Sequence, residues 1–182
     1  MARTALQRFC LMALLLGAML VPQHAKSQSV RDPGQHFFQT SFGDLRAELE
    51  TARREGKRGI LLVFELDECP YCKRMHDTVI NQVAVQDAFR EHFNIIRIES
   101  DSLDEIVSPS GQTLTERDYA RLSKAYGTPY SIALSVDGTE LARLPGAPIN
   151  ADEYLLFADY AASGAATSGS FSHYKARRRG EK

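Results

Sequence analysis

Cys69-Pro70-Tyr71-Cys72 is the stretch whose residue types and spacing state a chemistry. The two thiols follow an apolar run, Gly59-Ile60-Leu61-Leu62-Val63-Phe64, and precede a helical pattern. This order places a cysteine in the first turn of a helix, at the end of a buried strand. Unpaired amide N–H groups and the helix dipole stabilise a thiolate there. A thiol so placed titrates below its free value of about 8.5 and becomes a nucleophile near neutral pH. Cys69 is therefore the expected attacking thiol. Cys72, one turn inside the helix, is the expected resolver of a mixed disulfide. The chemistry is thiol–disulfide exchange, with the Cys69-Cys72 pair as the redox centre and no added cofactor.

Two other readings of the same residues stand beside it. The pair could be a structural disulfide, although such bridges usually close longer loops and come in denser frameworks. Cys69, Cys72 and His76 also share a helix face at i, i+3 and i+7, a soft ligand set for copper or zinc in a metal chaperone, with no evident fourth ligand. Covalent haem attachment is excluded, because Lys73 and not histidine follows Cys72. Glu65 and Glu68 stand close enough in sequence to tune the thiols, since carboxylates oppose a thiolate. Lys73 and Arg74 favour one.

The elements around the motif begin after a leader. Arg3 and Arg8 precede an uncharged apolar run from Phe9 to Val21, and Ala25-Lys26-Ser27 carries small residues at the positions a signal peptidase reads. Such a run of about 13 residues suits a signal peptide over residues 1–27 and falls short of the roughly 20 a membrane span needs. An uncleaved membrane anchor is the alternative. Cys10 lies inside this run and goes with it, leaving Cys69 and Cys72 in an exported, oxidising setting. Without Arg3, Arg8 and Lys26 the chain has 19 basic residues against 23 acidic, near −4. That balance gives no reason to expect nucleic acid. The roughly 155 remaining residues suit one domain with a real core.

Residues 28–40 are polar, with Pro33 and Gly34, and read as an irregular lead-in. From Asp44 a helical face of Leu45, Leu49 and Ala52 runs to Gly56. Gly59 to Leu66 is a central strand buried on both faces. The helix after it starts at Cys69, with Pro70 in its first turn and a break near Asn81. A further helix spans Val85 to Phe93, and Asn94 to Ser100 is the next strand. Asp101 to Gly111 reads as loop. Thr115-Glu116-Arg117-Asp118 resembles a capping box and opens a helix that continues to Tyr126 and closes at Gly127. Alternation on either side of Asp137-Gly138 is a hairpin from Tyr130 to Leu144. Asn150 caps a last helix. Residues 164–182 are a small-residue linker and a basic end containing Arg177-Arg178-Arg179. An α crossover between the first two strands demands that they be parallel, and the hairpin adds an antiparallel pair. The fold class is α/β, a mixed sheet with helices on both faces, over residues 41–163.

With these elements in place the chain resembles the thioredoxin-fold family. The likeness rests on the strand entering Cys69-Pro70-Tyr71-Cys72, on Gly127-Thr128-Pro129 before the hairpin, and on the hairpin-plus-helix ending. It implies that Pro129 is cis and packs beside the sulfurs. It implies too that Thr128 offers its backbone to a substrate strand, with Pro70 and Tyr71 in the contact surface. Phe64 to His76, the stretch from Asp101 to Tyr126, and Phe171 and Tyr174 are similar to exported thioredoxins linked to bacterial sulfur oxidation, the SoxW-like group. That likeness implies a periplasmic, monomeric reductase of protein disulfides, itself reduced by an inner-membrane electron donor. The chain also departs from the family. Val63 stands where thioredoxin buries an acid, leaving Glu65, of the same strand parity, as the nearby substitute for a proton acceptor. Pro-Tyr between the cysteines also occurs in glutaredoxins and in periplasmic isomerases of the disulfide-exchange type, so the dipeptide leaves the direction of electron flow open; a disulfide oxidase or isomerase using the same two cysteines is the alternative.

Overall fold

A β-branched and leucine-rich run with no charge until its last residue forms the middle of the sheet. Strand β1, Gly59–Glu65, is buried at all seven positions. The computed structural model describes residues 29–165 and 169–180; the leader reading of 1–27 lies outside the described residues. Strand β2, Phe93–Glu99, pairs with β1 in parallel, and β5, Tyr130–Ser135, pairs with it antiparallel on the other side. Strand β6, Glu140–Pro145, closes the order β2-β1-β5-β6. Between β2 and β5 a small separate hairpin joins β3, Glu105–Val107, to β4, Thr113–Thr115.

Alternation along β1 feeds two cores, as a strand's period of two requires. Leu61 and Val63 face one side, against Phe89 of helix α4 (Val83–His92) and Tyr154 and Phe157 of helix α6 (Ala151–Ser163). Ile60, Leu62 and Phe64 face the other, against Leu45 and Leu49 of helix α2 (Leu45–Arg54) and Tyr119 of helix α5 (Glu116–Leu122). Gly59 opens β1 because a Cβ there would sit 1.8 Å from the Leu134 carbonyl oxygen. The mixed sheet with helices on both faces is as the sequence predicts. Among the described residues no helix is long and apolar enough to cross a membrane.

Four stretches differ from expectation. The lead-in is not irregular: Asp32 caps one helical turn, α1 (Pro33–His36), and Phe37 behind it is fully buried, stacked edge-on against Phe89. Residues 105–115, read largely as loop, pair as β3 and β4 because Ile106 reaches the core, but three-residue strands are too short for alternation to show. Helix α5 stops at Leu122 and not near Tyr126. Lys124 takes φ 57°, the Ala125 N–H reaches the Ala120 carbonyl and the Lys124 N–H the Arg121 carbonyl, a Schellman ending made without the usual glycine. The basic end holds a helix, α7 (Phe171–Gly180), whose Phe171 ring lies 5.4 Å from both Phe157 and Tyr160.

Candidate functional site

The motif sits where β1 gives way to helix α3, Pro70–Met75. Cys69 is the N-cap with extended dihedrals, and Pro70 occupies the first helical position, where its missing N–H removes nothing. The Cys72 N–H, one of the helix's orphan donors, points at Cys69 Sγ at 3.1 Å. The two cysteines form a disulfide, Cα to Cα 5.2 Å. Cys69 is 8% exposed and Cys72 4%. Pro70 and Tyr71 stand out from the surface between them, Tyr71 65% exposed.

The loop entering β5 completes the site. The Thr128–Pro129 peptide is cis, Pro129 is buried, and the Thr128 hydroxyl approaches Cys69 Sγ at 3.4 Å. Residues 59 positions apart in the chain meet because β5 runs antiparallel beside β1 and starts where β1 ends. Thr128, Pro129, Cys69 and Cys72 thus share one end of the central strand pair.

Glu65 ends β1 on the face shared with Val63, 1% exposed. Its oxygens lie 2.8 and 3.0 Å from His76 Nε2, and Arg97 Nε donates to it at 3.1 Å. His76 is therefore turned to a carboxylate, in place of the ligand role beside the two sulfurs that the metal reading gave it. Among the described residues no group of three His, Cys, Asp or Glu side chains is arranged around a metal position. Glu68 is exposed at the strand exit. The Val63 level of the core holds a different polar pair, Ser131 and fully buried Tyr154, joined at 3.0 Å. Burial pushes the Tyr154 phenol well above its ordinary value, with the Glu65 charge adding to it.

Arg97 was not singled out from the sequence, although an arginine inside Ile95-Ile96-Arg97-Ile98 breaks the apolar run. It gathers three carboxylates: Glu65, Asp67 Oδ1 at 2.8 Å and Glu99 Oε2 at 2.8 Å. The register explains this, since Glu65 and Glu99 are direct partners across the parallel ladder. Burial lifts the Glu99 carboxyl from 4.5 to about 7; Arg97 opposes the rise, and Asp67 and Asp101 add to it. Burial also raises Glu116, whose carboxylate takes the Glu99 N–H at 2.9 Å.

A raised carboxyl means that the folded protein binds more protons than the unfolded chain between pH 4.5 and about 7. The Glu99 contribution to stability is therefore greatest at the acid end of that window and is lost as pH climbs through it. Glu99→Gln, which mimics the protonated form, should match the wild-type denaturation midpoint near pH 5 and exceed it near pH 7.5. Equal differences at both pH values would contradict this.

A family model described as a thioredoxin-like domain matches residues 45–162. No curated protein matches the chain. Among solved structures, a thioredoxin-fold protein from Helicobacter pylori is 18% identical with a TM-score of 0.57, covering 68% of this chain and 85% of that one. A DsbH oxidoreductase is 17% identical with a TM-score of 0.55, covering 78% and 92%. A putative disulphide-isomerase from Bacteroides thetaiotaomicron is 22% identical with a TM-score of 0.53, covering 68% and 90%. At these identities the likeness is one of fold, and the fold is the thioredoxin fold.

Proposed function

The chain belongs to the thioredoxin-like domain family, and from that premise we propose that it is an exported, periplasmic thiol–disulfide oxidoreductase working as a reductase of protein disulfides. The observation that carries this is the Cys69–Cys72 disulfide at the start of α3, with Cys69 Sγ beside the Thr128 hydroxyl. In the reduced protein the Cys72 N–H and the helix start favour the Cys69 thiolate. That thiolate attacks one sulfur of a substrate disulfide, and the other substrate sulfur leaves as a thiolate and takes a proton from water. A mixed disulfide results. Cys72, as thiolate, attacks Cys69 Sγ and expels the second substrate sulfur. The substrate gains two electrons and the protein ends with the Cys69–Cys72 disulfide.

An extended substrate segment lies against Thr128 and Pro129, with Pro70 and exposed Tyr71 at its side. The recycling donor is a carrier in the inner membrane, the protein acts as a monomer, and its role resembles that of the SoxW-like thioredoxins. Export rests on Arg3, Arg8 and the apolar run to Val21. Oxidase or isomerase function uses the same two cysteines and differs in potential. Equilibration against defined thiol–disulfide buffers tests the direction: a value near about −270 mV supports a reductase, and one near about −120 mV would make the protein an oxidant.

A further inference from the structure

Strand β1 leaves the sheet at Glu65, where its ladder to β2 ends, and the chain reaches Cys69 through an exposed turn at Asp67 and Glu68. That turn sets where the attacking sulfur stands. Asp67 precedes Cys69 by two residues, and two residues span at most about 7 Å, so whatever holds Asp67 limits the travel of Cys69.

Asp67 is held twice, both times from β2. Its backbone N–H donates to Glu99 Oε1 at 3.1 Å, and its Oδ1 accepts from Arg97 Nη2 at 2.8 Å. The same Nη2 donates to Glu99 Oε2 at 2.8 Å, while Arg97 Nε donates to Glu65 at 3.1 Å. One planar guanidinium therefore joins the last residue of β1, the turn, and the last residue of β2. Its Nε end is anchored, because Glu65 has 2% of its side chain exposed and the Ser100 N–H fastens the Glu65 carbonyl at 2.8 Å. Asp67, its side chain 82% exposed, is the loose member that this fork captures. An ion pair so exposed adds little stability. What it changes is where the turn stands.

Placement matters because the Cys69 sulfur is set against two donors, the Cys72 N–H at 3.1 Å and the Thr128 hydroxyl at 3.4 Å. A shift of about 1 Å at a reacting atom can cost up to about a hundredfold in rate.

Taking the oxidoreductase reading as its premise, we propose that Arg97 is a positioning residue for Cys69, acting through Asp67. It clamps the turn so that the sulfur stays beside Thr128, where the substrate strand arrives. The clamp moves no proton and touches no reacting atom. The Cys69 thiolate attacks one sulfur of the substrate disulfide, the S–S bond breaks, and the other sulfur leaves with the electron pair.

Cys72→Ser protein isolates this step, because the mixed disulfide on Cys69 then accumulates. Its rate of formation with a short uncharged peptide closed by a disulfide is read by mass spectrometry of the Cys69 fragment. Adding Asp67→Ala, which removes the acceptor for Arg97, should slow the step about tenfold. Asp67→Asn removes the same charge but keeps an oxygen for Arg97, and it should restore most of that loss. Alkylation of Cys69 by iodoacetamide at alkaline pH needs no alignment with a strand and should be alike in all three proteins. Equal rates of adduct formation in the alanine and asparagine variants, slowed or not, would overturn the proposal. So would an alkylation loss as large as the peptide loss. The exposure of Asp67 keeps both variants folded, which Arg97→Met does not guarantee. No adduct on Cys69 in the Cys72→Ser parent would instead sink the oxidoreductase reading itself.

Discussion

Cys72→Ser should turn the protein into a trap: substrate proteins remain joined to Cys69 by a disulfide that nothing intramolecular can resolve. Cys69→Ser should form no such adducts and should lose disulfide-exchange activity by about a thousandfold or more, as expected when the group that forms the covalent intermediate is removed. The asymmetry follows from position. Cys69 is the N-cap, its sulfur receives the Cys72 N–H at 3.1 Å, and the Thr128 hydroxyl meets it from the substrate side. Cys72 lies one turn inside, the less exposed of the two. Non-reducing gels of cell extracts expressing each variant read the outcome. Adducts on Cys69→Ser in place of Cys72→Ser would reverse the assigned roles.

Arg97→Met should be the most damaging substitution away from the sulfurs, lowering stability by about 3 kcal/mol, the low end for breaking a buried ion pair. It leaves Glu65, with 2% of its side chain exposed, beside Glu99 and Asp67 without the arginine that bridges all three carboxylates. The low end is chosen because the Arg97 side chain is itself 44% exposed and because His76 still hydrogen-bonds Glu65. Adding Glu65→Leu to Arg97→Met should recover much of the loss, since the uncompensated charge is then gone. A double-mutant cycle in urea measures the coupling. Strict additivity of the two single changes would show that the Glu65–Arg97 contact contributes nothing.

What the sequence discloses here is local. The strand before Cys69, the Asp137-Gly138 hairpin and the Asn150 cap are each written within a few consecutive residues, and each forms as expected. Cys69, Cys72 and the Thr128-Pro129 pair were legible as motifs. Their meeting at 3.4 Å required the sheet order, which the crossover and the hairpin together imply. Glu65 was visible by strand parity, but its partners were not. Arg97 reaches it only through a parallel register, and His76 only through the particular turn of α3 into the π-helical step. The end of α5 was hidden for another reason: Lys124 occupies a left-handed position that sequence reading reserves for glycine or asparagine. The lead-in and the C-terminal helix were underread because each is anchored by one aromatic, Phe37 or Phe171, too few for a periodic signal.

Reduction of insulin by a small thiol, followed as turbidity, tests the central claim most directly. Purified protein comprising residues 28–182 should accelerate the precipitation of the reduced chains in catalytic amounts, and Cys69→Ser should bring the rate back to that of the thiol alone. Wild-type protein that leaves the rate at the level of the thiol alone would contradict the account.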